Sequence, residues 1–263
     1  AINIGGSSPL ESYLVIDKVI EAANRMGCEM IHPVYGFLSE SPNFAKRCNE
    51  EGMIFVGPSA NAMAISGDKV KARDAASKVA SVVEGGEVSS EEEALSLVDK
   101  IGFPVILKAV EGGGGRGLRI LRSSEEVHDR FASAKSESMM SFGSGRVYIE
   151  QYLEKPKHIE VQIIAASSNI VQLGERECSI QRRHQKLIEE TPSFALTKEL
   201  RYDILCKAVS IMKEINYDNA GTVEFLLKGD KYFFMEINAR VQVEHPITEV
   251  VTGVDIVEQQ LRV

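Results

Sequence analysis

The densest chemistry in this 263-residue chain lies in the stretch AGTVEFLLKGDKYFFMEINARVQVEHP. Glu224 and Glu236 are symmetric about Asp230. Lys228-Gly229-Asp230-Lys231 reads as a hairpin turn between strands at 221–227 and 232–237. If the hairpin closes there, the two carboxylates face each other on one face of a sheet. Opposed like charges destabilise a sheet, and a divalent cation would remove that cost. Hard oxygen ligands with no nearby Cys or His partner favour magnesium or manganese bridging to phosphate. Polar residues then recur at period two: Glu236, Asn238, Arg240, Gln242 and Glu244, with Ile237, Ala239, Val241 and Val243 between them. A solvated edge strand is the plain account of that alternation. Both signs of charge, two amides and a second acid, just after Phe233-Phe234-Met235, favour a strand facing a ligand.

A second candidate is PVILKAVEGGGGRGLRILR at 104–122. Gly112, Gly114 and Gly117 satisfy G-x-G-x-x-G, but the dinucleotide fingerprint needs a helix after the loop, and here a strand follows. No Lys-Ser/Thr follows the last glycine, so it is not a Walker A loop. A strand–loop–strand flap remains, whose bare N–H groups at 112–115 could surround phosphate oxygens while Lys108 adds an ammonium. The competing account is a flexible hairpin tip. A third candidate is the basic run ERECSIQRRHQKLIEE at 175–190. Flanking acids argue against a nucleic-acid patch and leave a solvent-exposed loop as the plain account of Arg182 and Arg183; His184, Gln185 and Lys186 could instead hold a small anion.

These groups need a scaffold, and its elements are legible. Ile16, Val19, Ile20 and Ala23 have helical spacing, with Gly27 as a stop. Ser90 with Glu93, and Ser123 with Glu126, are capping-box pairs opening further helices, the first of them ended by Gly102 and Pro104. Thr197 opens a long amphipathic helix through Leu200, Ile204, Ala208, Ile211 and Ile215. Apolar runs at 30–33 and 53–56, each after a helix, predict a βαβ rhythm. Closely spaced strands at 104–110, 118–121, 147–150, 159–165 and 170–175 predict antiparallel sheets. The fold class is therefore a small α/β piece followed by a larger α+β body. A first strand at residue 30, and an ending inside an apparent helix at 259–263, predict a fragment cut at both ends.

Composition limits the function. Apolar residues make up 44% and charged residues 26%, which excludes a disordered chain. A net charge of −8 argues against a general nucleic-acid coat. No apolar run reaches the length of a membrane span, and the opening residues lack the pattern of a signal peptide. Cys28, Cys48, Cys178 and Cys206 form no CxxC pair, so neither a zinc framework nor a disulfide scaffold is expected.

Together these motifs resemble an ATP-grasp enzyme: Lys108 with GGGGRG, the Glu224/Glu236 pair, and EINARVQVEHP from Glu236 to Pro246. HPVYGFLSE at 32–40, SGDK at 66–69 and RRHQK at 182–186 narrow the resemblance to biotin carboxylase. The resemblance runs the whole length of the chain, with the motifs in order. It implies an ATP-grasp fold with a partial Rossmann-like N-terminal subdomain at 1–56, linker helices at 57–83, a lid subdomain at 84–151 and an incomplete C-terminal subdomain at 152–263. It implies ATP- and bicarbonate-dependent carboxylation of biotin through carboxyphosphate. ATP and Mg2+ (or Mn2+) would be required, with biotin as a substrate on its carrier protein. Lys69, Lys108 and the lid glycines Gly112, Gly113, Gly114, Gly115 and Gly117 would contact ATP phosphates. Glu150, Leu153 and Leu226 would lie at the nucleotide, as would His158 and His184 toward the ribose or biotin side. Glu224, Glu236 and Asn238 would be the metal set. Arg240, Gln242, Val243 and Lys186 would hold bicarbonate, with Glu244 as its base and Arg240 stabilising growing negative charge. Tyr35 and Gln181 would lie near biotin. The implied partners are a biotin carboxyl carrier protein and a carboxyltransferase, with a homodimer when full length and neither nucleic acid nor membrane. The implied compartment is the cytoplasm, or the mitochondrial matrix in a eukaryote.

Three departures from the family pattern stand out. Val34 occupies the first glycine position of HPGYGFLSE, where a positive φ would strain a β-branched residue. Thr191-Pro192 stands where Ala-Pro is usual, and the segment at 78–86 is short. The alternative function is another ATP-grasp ligase, such as a carbamoyl-phosphate synthetase or a purine-pathway carboxylate–amine ligase. A non-catalytic nucleotide-binding module is disfavoured because Arg240, Glu244 and the metal acids are all present.

Overall fold

The computed structural model describes residues 1–110, 118–166, 169–183 and 185–263. Helix α1 (Ile16–Arg25) follows the expected spacing and is over before Gly27, whose φ of 65° is left-handed. Strands β1 (Met30–Ile31) and β2 (Ile54–Phe55) pair in parallel around α2 (Pro42–Glu50). The βαβ rhythm is present, although each strand is only two residues long. Between β1 and α2 the HPVYGFLSE stretch turns back sharply. Val34, Gly36 and Phe37 have φ of 57°, 78° and 48°. The strain expected at Val34 is therefore real, since its Cβ crowds the backbone in that region. Helices α3 (Ala60–Gly67) and α4 (Lys69–Ser77) follow, capped by Ser59 and Asp68.

A four-stranded antiparallel sheet comes next, built from β3 (Gly85–Val88), β4 (Val105–Ala109), β5 (Arg119–Leu121) and β6 (Val147–Gln151) in the order β3-β6-β4-β5. It packs on α5 (Glu91–Ile101) and α6 (Ser124–Phe142) through Val98, Leu107, Leu121, Phe131 and Ile149. Both capping boxes close one residue upstream of the predicted place. Ser90 accepts from the Glu93 amide, but the Glu93 carboxylate takes the amide of Ser89 at 2.8 Å. Glu126 likewise takes the amide of Arg122 at 2.7 Å.

The larger sheet holds β7 (Lys157–Ala166), β8 (Asn169–Arg182), β9 (Gln185–Glu190), β10 (Asn219–Lys228) and β11 (Lys231–Asn238) in the order β11-β10-β7-β8-β9. On β7, Ile159, Val161, Ile163 and Ala165 join Ile204, Ala208 and Ile211 of α7 (Lys198–Glu214) in the main core. Burying each of the larger side chains contributes about 1.5–3 kcal/mol. The alternate residues His158, Glu160 and Gln162 are also buried, on the opposite face.

The chain ends in α8 (His245–Thr252) and α9 (Ile256–Arg262). Two expectations need correction. The polar alternation was expected to continue as a strand to Glu244, but β11 stops at Asn238. Ala239 gives its N–H to Glu40 Oε1 at 3.0 Å instead of a neighbouring strand, and the chain then turns into α8, which opens with Pro246 in its first turn. The second concerns Arg182, expected with Arg183 in an exposed loop, which is the last residue of β8; 185–190 then form the edge strand β9.

Candidate active site

The hairpin turn pairs Lys228 with Lys231 and Phe225 with Phe234, and in that register Glu224 would meet Met235. A bulge between Glu224 and Phe225 admits one extra residue on β11, and Glu224 then pairs with Glu236. The expected facing of the two acids is thus present, and an irregularity produces it. The alignment continues across the sheet, because Glu224 also pairs with Glu160 on β7 and Glu160 pairs with Arg176 on β8. Three carboxylates and a guanidinium therefore form one row over four strands.

Such a row repels itself unless cations are built in. Three are. Lys186 on β9 makes a close ion pair with Glu160 and reaches Glu224 Oε1 at 2.8 Å and Glu244 Oε1 at 2.7 Å. Arg176 Nε donates to Glu160 Oε1 at 2.6 Å. His158 Nε2 lies 2.6 Å from Glu224 Oε2. Burial pushes the Glu224 carboxyl up, but His158 and Lys186 outweigh it and hold the group well below the usual carboxylate range. Burial pushes the His158 imidazole down, and Glu224 more than offsets this, so it stays above its ordinary value. Lys186 is likewise raised, its three carboxylates overcoming desolvation. Glu236 differs: burial and repulsion from Glu224 push it up, against the field of Lys69 and Lys108. Among the described residues no side chain donates a hydrogen bond to Glu236.

The turn after β11 brings the remaining groups over the row. Asn238 Nδ2 and Gln242 Nε2 donate to Glu224 Oε1 at 2.7 and 2.9 Å. Arg240 reaches Asn238 Oδ1 at 3.2 Å and Glu40 Oε2 at 2.9 Å. Glu40, the last residue of HPVYGFLSE, thereby ties the N-terminal motif to the C-terminal one. Gln181 Nε2 lies 2.9 Å from His158 Nδ1 and donates to the Cys178 carbonyl at 2.8 Å, which fixes the imidazole plane. Cys178 is buried beside Glu160, and both effects push its thiol up, so it stays protonated.

On the four-stranded sheet, Lys108 stands opposite Tyr148 and gives its ammonium to Glu150 Oε1 at 2.6 Å. The same ammonium lies 5.5 Å from the Tyr148 ring centroid, with the Arg73 guanidinium 5.9 Å from that ring. Lys69, Arg73, Lys108, Tyr148, Glu150, Phe234 and Met235 line one small cavity. This cationic face meets β11 beside Glu236.

The structure thus brings together Lys186, Arg240, Gln242, Glu244, Glu224, Glu236, Asn238, His158 and Gln181 in one cluster, with Lys69, Lys108 and Glu150 beside it. Leu226 pairs with His158 across the strands, and Leu153 is buried just after β6. Val243 and Tyr35 are exposed, and no hydrogen bond joins either side chain to the cluster among the described residues. Gly112, Gly113, Gly114, Gly115, Gly117 and His184 lie outside the described residues. Sequence reasoning missed Glu160, Arg176 and Cys178. The signal for Glu160 was available in KHIEVQ, where polar residues recur at period two within an apolar strand; Arg176 and Cys178 carry no such local signal.

A row of acids for a cation, a turn of anion-binding groups and a lysine-lined cleft are the parts of an ATP-grasp site. Residues 68–263 match the family described as "Carbamoyl-phosphate synthase L chain, ATP binding domain", and residues 1–63 match "Biotin carboxylase, N-terminal domain". The chain belongs to the biotin carboxylase family. It is 52% identical over 259 residues to a pyruvate carboxylase of Staphylococcus aureus, covering 97% of this chain and 22% of that protein. It is 46% identical over 268 residues to a propionyl-CoA carboxylase alpha chain of Ruegeria pomeroyi, covering 100% of this chain and 39% of the relative. A crystal structure of a Campylobacter jejuni biotin carboxylase–ATP complex superposes with a TM-score of 0.94 at 44% identity, covering 98% of this chain and 58% of that one. The biotin carboxylase domain dimer of a Hydrogenobacter thermophilus 2-oxoglutarate carboxylase, in complex with MgADP and bicarbonate, gives 0.93 at 44% identity, covering 98% of this chain and 58% of that one. The chain spans about a fifth of the Staphylococcus relative and about two fifths of the Ruegeria one. The expected ATP-grasp fold is the one these structures share.

Proposed function

We propose that the chain catalyses the ATP- and bicarbonate-dependent carboxylation of biotin held on a carrier protein. The observation that carries this is the placement of Lys186, Arg240, Gln242 and Glu244 around one end of the carboxylate row. Arg240 and Gln242 offer N–H groups, and Lys186 a nearby positive charge, to a small planar anion, as bicarbonate requires. Glu244 Oε1 is already 2.7 Å from Lys186 Nζ, so a bicarbonate held there would lie beside a carboxylate able to take its proton. The deprotonated oxygen attacks the γ-phosphorus of ATP, ADP leaves, and carboxyphosphate forms. That species breaks down to CO2 and phosphate, the phosphate or a protein group takes the N1 proton of biotin, and the resulting enolate attacks CO2. Arg240 steadies the developing negative charge.

Lys69, Lys108 and Glu150 serve the nucleotide on the cationic face, with the lid glycines, His184, His158, Leu153 and Leu226 completing its site. Glu224, Glu236 and Asn238 fit a magnesium or manganese ion, because their donors are hard oxygens and the repulsion that raises Glu236 is what a cation relieves. When bound, that ion supplies charge neutralisation to the phosphates. Tyr35, Gln181 and Val243 are assigned to the biotin side. The subdomain division at 56, 83 and 151 is part of the same proposal. So are a carrier protein, a carboxyltransferase partner and a homodimer of the longer protein. No helix among the described residues is long and apolar enough to cross a membrane; a cytoplasmic or matrix location is proposed on the family resemblance.

The test is ADP release from MgATP with and without bicarbonate, each with and without free biotin. Bicarbonate-dependent release raised by biotin is expected. Release that ignores bicarbonate would sink this reading in favour of another ATP-grasp ligase. Glu244→Gln should keep MgATP binding and lose bicarbonate-dependent turnover.

A further inference from the structure

We infer that Arg176 is a positioning residue for the bicarbonate subsite. It sets the amide orientation of Gln242, anchors α8 behind Glu244 and turns one oxygen of Glu160 toward Lys186. The inference rests on the biotin carboxylase reading above. Arg176 is completely buried. Its guanidinium has five N–H donors, and five acceptors take them. Nε donates to Glu160 Oε1 at 2.6 Å. One terminal nitrogen donates to Gln162 Oε1 at 2.8 Å and Thr248 Oγ1 at 2.9 Å. The other donates to Gln242 Oε1 at 3.0 Å and Thr222 Oγ1 at 3.4 Å. No donor is left over for a reactant, so any effect on chemistry passes through these neighbours.

Each bond has a directional consequence. Because Gln242 Oε1 accepts from Arg176, its Nε2 faces Glu224 at 2.9 Å. A flipped amide would set its oxygen against that carboxylate. Because Glu160 Oε1 is taken by Arg176, Oε2 is the oxygen left for Lys186. Thr248 lies one turn into α8, the helix that Glu244 precedes. A positive charge alone would compensate Glu160, whereas five directed N–H bonds from a planar guanidinium also fix the orientation of each partner. A lysine keeps the charge but has only three donors on a flexible stem, and it cannot reproduce a five-way planar junction.

The test uses the intact protein with Arg176→Lys and Thr248→Val. For each, the KM for bicarbonate, kcat, the Kd for MgATP and the melting temperature are measured. Arg176→Lys should raise the KM for bicarbonate about tenfold or more, with the MgATP Kd within about twofold of the unmodified protein. Thr248→Val removes only the link to α8 and should raise that KM by about threefold. It carries the decision if Arg176→Lys does not fold. Equal losses in bicarbonate and MgATP parameters would mean a purely structural role and overturn the inference, as would an unmoved KM for bicarbonate in folded variants. If the unmodified protein ignores bicarbonate, the functional reading falls and takes this inference with it. Bicarbonate dependence with an unmoved KM in the variants removes this inference alone.

Discussion

The substitution Lys186→Met tests the electrostatic account of the carboxylate row. The ammonium is shared by Glu160, Glu224 and Glu244, all nearly buried. Removing one partner of a buried pair costs about 3–5 kcal/mol, because the other charge stays buried and uncompensated. Here two of the three acids keep other partners. Glu160 retains Arg176, and Glu224 retains His158, Asn238 and Gln242. Only Glu244 loses its sole ion-pair partner among the described residues. The loss therefore belongs at the low end, about 3 kcal/mol, which for a chain of this size lowers the melting temperature by about 6–12 °C. The assay is thermal unfolding in the presence of a chelator, repeated with magnesium. Magnesium should restore more stability to the variant than to the unmodified protein, since three carboxylates then face a vacated cation position. A variant that melts within a degree or two of the unmodified protein would refute the claim that Lys186 compensates the row. Equal recovery of both proteins by sodium chloride would point to general screening and refute it as well.

Three further outcomes are expected. Lys108→Ala should weaken MgATP binding by about 10–100-fold in a direct binding titration, since a charge-assisted contact to phosphate is lost; unchanged affinity would remove Lys108 from the nucleotide site. Val34→Gly should raise the melting temperature, because relief of about 1–2 kcal/mol of left-handed strain exceeds the roughly 0.5–1 kcal/mol entropic cost of glycine; a lower melting temperature would show the side chain contributes packing that its exposure does not reveal. Glu177→Gln should flatten the acid limb of stability. Burial pushes Glu177 up, but Lys157, Ser193 and Ser179 more than offset this and hold its folded value below the ordinary one. Its contribution is therefore full above the unfolded value near about pH 4 and is lost as pH falls through the folded value, so an unchanged acid limb in the variant would contradict the assignment.

Helices α1, α5, α6 and α7 and most strands were legible because their apolar residues obey one period and their ends carry Ser, Thr, Gly or Pro. Strand β9 was not legible, because an edge strand with Gln185, Lys186, Glu189 and Glu190 exposes both faces and has no alternation to read. The polar alternation past Asn238 misled for the opposite reason: period two persisted where no strand remained to pair with. The same signal, read in KHIEVQ, would have found Glu160. Arg176 lies among the acids of ERECSIQ, and nothing local distinguishes a buried guanidinium there from a solvated one. Its burial comes from sheet order, since β8 lies between β7 and β9, and strand order is not written in local pattern.

The row of acids is compensated from one end. Arg176, Lys186 and His158 all sit at Glu160 and Glu224, while Glu236, on the strand nearest the cationic face, feels chiefly the fields of Lys69 and Lys108. Glu224 and Glu236 face each other, yet one is pushed down and the other up. That split is what adjoining acids show when their surroundings assign them different tasks. Glu224 is an ionised anchor that orients Asn238 and Gln242, and Glu236 is the acid whose charge is least compensated. On the proposed metal set, an incoming divalent cation would gain most beside Glu236, which is also the end of the row nearest Lys108. On the proposed assignment, the sheet order would couple metal site to nucleotide site at one end of the row and leave the other end, with Lys186 and Glu244, for the anion.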